Sequence, residues 1–191
     1  MTALCTYVLT NDTGLAPNPY WGYCTLAVCT PNRQAARLHS GDMIAGFRTR
    51  REKNRLIYAM EVSEVLDMDE YFHDERFLQK RPDLRGNWME RCGDNFYSKN
   101  PDGTWRQHRN RFHIGDEYLK KDTRRSKVFI SERYWYFGRG ALEIPDVFLP
   151  LVGARGIRVK HPQTLVVRFR EWLCGKREGI HDLPGNNPDV P

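Results

Sequence analysis

The stretch Arg55-Leu56-Ile57-Tyr58-Ala59-Met60-Glu61-Val62-Ser63-Glu64-Val65 carries the strongest strand signal in the chain. Apolar and β-branched residues alternate along it, placing Tyr58, Met60 and Val62 on one face and Ile57 and Ala59 on the other. Just before it, Met43–Phe47 reads as a second strand, opened by the turn Ser40-Gly41-Asp42. The charged segment Arg48 to Asn54 then reads as a hairpin tip, so the two strands are expected to pair antiparallel.

Working outward, residues 4 to 9 read as a first strand, and Tyr23 to Cys29, small and branched, as a buried one. Between them lies a stiff loop. Pro17 and Pro19 bracket Asn18, so no regular element runs through, and Tyr20, Trp21 and Gly22 follow. Pro31 to Leu38 reads as a short helix. Asp67 to Phe77 reads as a helix or turn capped by Asp67 or Asp69. Val128 to Ser131 is a strand, Tyr134 to Gly138 an aromatic strand or turn, and Ile144 to Leu151 a short helix. Pro162 to Cys174 closes the series as a helix whose apolar face is Leu165, Phe169, Trp172 and Leu173. Residues 81 to about 120 are punctuated by Pro and Gly and read as an irregular insertion. The whole predicts one α+β domain over residues 1–175: a small, bent, barrel-like mixed sheet with flanking helices and a C-terminal helix. A flexible tail is expected over 176–191.

The chain has 191 residues and a net charge of +6, with no apolar run long enough to span a bilayer and no secretory leader, so no membrane partner and a cytoplasmic location are expected. Five scattered cysteines, Cys5, Cys24, Cys29, Cys92 and Cys174, argue for free, mostly buried thiols rather than a disulfide scaffold. No metal-ligand spacing and no phosphate-binding or dinucleotide fingerprint is present, so no metal and no cofactor are expected. The basic residues gather in three groups: Arg48 to Arg55, Lys120 to Lys127, and Arg155 to Lys160. Such grouping fits a polyanion, and Arg48, Arg50, Arg51 and Arg125 are the candidate phosphate contacts.

Two aromatic loops that also carry Asn and Asp suit a nucleobase, which needs flat faces for stacking and a few polar groups for its edge. Asn18, Tyr20, Trp21, Asp94, Asn95, Tyr97, Tyr134 and Trp135 are the candidate base-binding residues. An enzyme is the alternative. The acyl nucleophile set the sequence offers is a cysteine with a distant histidine, Cys24 or Cys29 with His113, and sequence alone does not bring them together. His113 to Asp116 and His73-Asp74 are the neighbouring His/acid pairs.

The segments Asn11 to Pro19, Tyr23 to Pro31, Ser40 to Gly46, Gly93 to Tyr97, Val128 to Ser131 and Tyr136 to Gly138 resemble those of the nucleotide modification associated domain 2 family. The order of elements around Ser40 to Val62 also resembles the PUA-like folds, which include ASCH, EVE and YTH domains. That resemblance implies a bent barrel with a concave pocket for a nucleobase, often modified. It also implies a partner that is nucleic acid or nucleotide, a possible modification-enzyme partner, and a link to DNA base modification or phage-related defence. The expected function is a module recognising a modified base, with an enzyme acting on such a base or nucleotide as the alternative.

Overall fold

The computed structural model describes residues 2–29, 37–153 and 156–190. The α+β class holds: the described residues form three sheets with few helices, and the sheets do not close into a barrel. Six strands make the main sheet: β1 (Leu4–Val8), β3 (Met43–Phe47), β4 (Leu56–Glu61), β9 (Arg133–Tyr136), β10 (Ile157–Arg158) and β11 (Gly179–Ile180), in the order β10-β1-β3-β4-β9-β11. The expected β3–β4 hairpin is antiparallel, with Ala45 opposite Ala59. A second sheet is β2 (Cys24–Leu26), β8 (Lys127–Ser131) and β5 (Glu64–Asp67), and a two-stranded ribbon is β6 (Tyr97–Lys99) with β7 (Trp105–Gln107).

Alternation along the main sheet feeds two cores. Cys5, Tyr7, Ile44, Tyr58, Met60, Tyr134 and Tyr136 face the second sheet. Leu4, Met43, Ala45, Phe47, Ala59 and Trp135 face Val166, Phe169 and Leu173 of the C-terminal helix, Gln163–Cys174. Ile57 departs from the expected alternation. The pairing slips between Gly46 and Phe47, so Ile57 is an extra residue in β4 and joins Tyr58 and Met60 in the first core. The helices are α1 (Met68–His73), α2 (Asp116–Thr123) and α3 (Gln163–Cys174). Of the two candidate caps for α1, Asp67 is the one: its carboxylate accepts from Asp69 N at 2.9 Å while Asp67 N donates to Glu70. The helix expected over Pro31–Leu38 falls, but for its last two residues, outside the described set, as does Arg155. No helix of the described residues is long and apolar enough to cross a membrane.

The C-terminal segment is not the loose tail its Pro, Gly and Asn content predicts. β11 adds to the main sheet beside β9. Beyond it, Gly185 N donates to Asp12 Oδ2 at 3.2 Å, Asn186 N to Asp12 O at 2.7 Å, and Asn187 Nδ2 to Thr13 O at 2.9 Å. Asp189 pairs with Arg91 and Arg111. The hub is Asp12, fully buried, which also accepts from Tyr136 OH at 2.7 Å. Burial lifts its carboxyl above the usual range in spite of these bonds. The segment therefore fastens the loop at residues 10 to 16, and that loop walls the site described next.

Candidate active site

The loops expected to frame a base pocket do meet, but their polar groups bond to one another. Asn18 Nδ2 donates to Cys92 O at 2.9 Å, Thr25 Oγ1 and Tyr71 OH each donate to Asp94 at 2.7 Å, and Asn95 Nδ2 donates to Tyr71 O and Phe77 O at 3.1 Å. Lys80, also buried, donates to Asn18 Oδ1, Asn18 O and Tyr23 O at 2.8–3.0 Å. Tyr134 OH donates to Pro19 O at 2.8 Å. Asn18, Asp94 and Asn95 are at most 1% exposed, so this junction is interior. Trp135 lies on the opposite face of β9, in the other core, and its Nε1 donates to Lys176 O at 3.2 Å. Tyr20 is buried, and Trp21 keeps a partly open ring edge-on to it.

The eighth candidate, Tyr97, leads elsewhere. Its hydroxyl donates to Asp122 Oδ2 at 2.9 Å. The same carboxylate oxygen accepts from His113 Nδ1, and His113 Nε2 lies 3.5 Å from Cys29 Sγ. Thiol, imidazole and carboxylate therefore stand in series. Of the two cysteines that the sequence offers as partners of His113 without bringing either to it, Cys29 is the one beside the ring; Cys24 sits fully buried in β2. The acid is Asp122, not the nearby Asp116.

Local structure explains the alignment. The ribbon β6–β7 brings Tyr97 opposite Gln107, whose Nε2 donates to Tyr97 OH at 2.9 Å and to His113 O at 3.0 Å. Asn110 pins the same backbone, accepting from His113 N at 2.7 Å and donating to His113 O at 2.6 Å. Helix α2 supplies Tyr118 and Asp122, four residues apart and so on one face. Tyr118 stacks on the imidazole with ring centroids 4.6 Å apart, and Asp122 holds its Nδ1. Burial alone would lower the His113 pKa. The bond to Asp122 and the neighbouring Cys29 outweigh it and raise the value to about 9. The free ring nitrogen, Nε2, is thereby placed to exchange a proton with the thiol.

Cys29 departs from the expected strand. β2 ends at Leu26, and Cys29 has φ 84°, a left-handed conformation that costs a non-glycine residue about 1–2 kcal/mol. Strain of this kind persists where a side chain must be aimed. It reverses the usual ranking of substitutions: Cys29→Gly is expected to be about 1 kcal/mol more stable than Cys29→Ala, where a strand position would favour Ala by a similar amount. Urea unfolding of the two variants measures the difference.

Cys29 and His113 open onto a cavity of about 340 Å³, walled by Leu9, Thr10, Asn11, Leu15, Phe112 and Tyr118 among others. That is the lower end of the range for small-molecule sites. The candidate phosphate contacts do not converge. Arg48, Arg50 and Arg51 sit at the β3–β4 tip, whereas Arg125 lies before β8 with Lys127 and Asp67 around a different cavity. Arg48 is engaged by Glu52 at 3.7 Å and by Gly138 O. Asp122 and Tyr118 escaped the sequence reading. The signal for them is a pair spaced i, i+4 in Asp116–Thr123, a segment otherwise so polar that it reads as solvated.

Comparison with characterised proteins gives no match, and neither does comparison with solved structures. The model of one family, nucleotide modification associated domain 2, matches residues 1–188, and the chain belongs to that family.

Proposed function

We propose that the chain is a thiol-dependent acyl-transfer enzyme acting on nucleotides. The observation that supports it is the series Cys29–His113–Asp122 at the wall of a cavity. Membership of a family associated with nucleotide modification supports the substrate class. In the proposed reaction the Cys29 thiolate attacks the carbonyl carbon of an acyl group carried on the nucleotide. A C–S bond forms, and the C–N or C–O bond to the leaving group breaks as His113 delivers its proton to the departing atom. Neutral His113 then takes a proton from water or an amine, which attacks the thioester carbon and releases the thiolate. Asp122 holds the ring so that Nε2 faces the sulfur.

The experiment uses the protein's own reference thiol. Cys174 is exposed, whereas Cys5, Cys24 and Cys92 are buried. With limiting iodoacetamide at pH 6–7, peptide mass spectrometry is expected to find Cys29 alkylated at least tenfold faster than Cys174, and His113→Ala is expected to abolish that preference. Incubation with N-acylated and O-acylated nucleotides is expected to give an acyl mass increment on Cys29. Equal alkylation of the two thiols, or no acyl-enzyme with any of these nucleotides, overturns the proposal.

A second reading, a nucleotide-binding module without turnover, draws on Trp21 and Trp88. Both are half-buried and edge-on to Tyr20, at 5.6 and 5.5 Å. Salt-sensitive binding of modified oligonucleotides that is lost in Trp21→Ala, with Cys29 inert, would select it.

A further inference from the structure

We infer that the nucleotide part of the substrate occupies a second cavity beside the one at Cys29, with Arg50 on its phosphate. This rests on the acyl-transfer reading for what happens at Cys29, but the site stands on its own observations. The second cavity measures about 740 Å³. Val8 and Thr10 line both cavities, so the two share a wall at the end of β1. Their chemistries differ. The Cys29 cavity sets Leu9, Leu15 and Phe112 beside Thr10, Asn11 and Tyr118, with the thiol and imidazole as its reactive groups and, among the described residues, no lysine or arginine in its lining. The second carries Arg50, Thr49 and Asn54 on one side and the half-open aliphatic side chains Leu149 and Val152 on the other. A guanidinium suits a phosphate, an amide and a hydroxyl suit a base edge or sugar, and an aliphatic surface suits the face of a base.

The tip that presents Arg50 has a fixed shape. Thr49 Oγ1 donates to Glu52 Oε2 at 2.7 Å, a 3-10 turn runs over Arg50–Glu52, and Lys53 and Asn54 both adopt left-handed φ, 61° and 52°. Arg48, on the same tip, is engaged by Glu52, Gly138 and Asn186. Arg50 makes no ion pair among the described residues, which leaves its guanidinium available to the cavity. On the far side of the tip, Arg51, Lys53 and Arg55 line a third cavity of about 520 Å³. The tip thus divides its cations, one toward the Cys29 side and several away from it. A free nucleotide would engage Arg50 alone. A nucleotide within a strand would carry its neighbouring phosphates across the tip to Arg51 and Lys53.

The test titrates deoxynucleoside monophosphates and a short single-stranded DNA into the protein, reading the dissociation constant and the protection of Cys29 from iodoacetamide. Both ligands are expected to slow Cys29 alkylation. Arg50→Glu is expected to weaken both by at least tenfold and to remove the protection, with ligand-free alkylation of Cys29 measured in each variant as the control for an intact thiol site. Arg51→Glu/Lys53→Glu separates the two sources of phosphate: it is expected to weaken the strand, and to flatten its salt dependence, only if a strand is the natural ligand. Unchanged affinity in Arg50→Glu, or binding that leaves Cys29 unprotected, overturns the inference. Affinity lost in Arg50→Glu with Cys29 no more reactive than Cys174 supports the nucleotide cavity and overturns the acyl-transfer reading alone.

Discussion

Lys80→Met is expected to destabilise the protein by about 3–5 kcal/mol, the cost of breaking up a buried charged group. For a chain of this length that lowers Tm by roughly 6–20 °C. Lys80 is 1% exposed, and its ammonium donates to Asn18 Oδ1, Asn18 O and Tyr23 O. Methionine fills a similar volume, so packing alone predicts a small effect. The loss comes from what is left behind: the buried Asn18 Oδ1 and the partly buried Tyr23 O lose the Lys80 donor, Asn18 O keeps only Thr25 as donor, and the fully buried Asp94 carboxylate loses the Lys80 charge. Lysine does not itself favour folding here. Burial lowers its pKa from the usual range to about 8, against the pull of Asp94. The unfolded chain therefore holds the Lys80 proton to higher pH than the folded one, and the group's opposition to folding fades between about pH 8 and 10.5. A second variant checks this account. Lys80→Met/Asp94→Asn removes both charges while leaving an amide that can still meet Thr25 and Tyr71, so the double loss is expected to fall well short of the sum of the singles. Full additivity, or a stable Lys80→Met, would show that the junction of the three loops does not depend on this pair.

That junction shows which parts of the molecule were legible in the sequence. The main sheet was: alternation in Leu56–Glu61, the basic tip before it, and the Asp67 cap all follow from period and side-chain chemistry acting over a few residues. The opposite faces of Tyr134 and Trp135 are legible in the same way, since adjacent strand residues cannot share a pocket wall. Lys80 was not legible. In Glu75–Lys80 it looks like any surface lysine, and only the distant carbonyls of Asn18 and Tyr23 make it interior. Asn18, Asp94 and Asn95 had the polar chemistry of a base reader, but the same chemistry serves equally to tie loops together, and burial decides between the two uses. Of the candidate site, Cys29 and His113 were visible as residue types. Their meeting depends on an 84-residue separation closed by β2, the β6–β7 ribbon and α2, and on a left-handed turn at a position with no glycine to announce it. Tail docking failed for a related reason: composition reports what a segment can do alone, whereas Asp12 supplies acceptors from the other end of the chain.

Asp122→Asn is expected to reduce turnover by about 10²–10⁴ while leaving the fold in place, the scale seen when a triad loses its carboxylate. Oδ2 of Asp122 accepts from both His113 Nδ1 and Tyr97 OH. The carboxylate can serve both at once. A carboxamide has one oxygen and an NH₂ group; if it turns the NH₂ toward the ring, His113 must take the opposite tautomer and present N–H, not a lone pair, to Cys29. In either orientation the negative charge that supports the imidazolium is gone. The His113 pKa is then expected to fall from about 9 toward its ordinary value, and the pH profile of Cys29 alkylation moves with it. Stability supplies an independent readout. With the folded value above the unfolded one, the native state holds the His113 proton longer, so its contribution is fully present below about pH 6.5 and lost as pH rises through about 9. A difference of that size is worth on the order of 3 kcal/mol. Urea unfolding at pH 6.5 and pH 7.5, below the midpoint near 8 at which native Lys80 titrates in the opposite sense, is expected to show a decline in the native protein that Asp122→Asn lacks. A variant that loses stability equally at both pH values and alkylates Cys29 with the native profile would make Asp122 a packing residue, and the three side chains would then be neighbours rather than a catalytic unit.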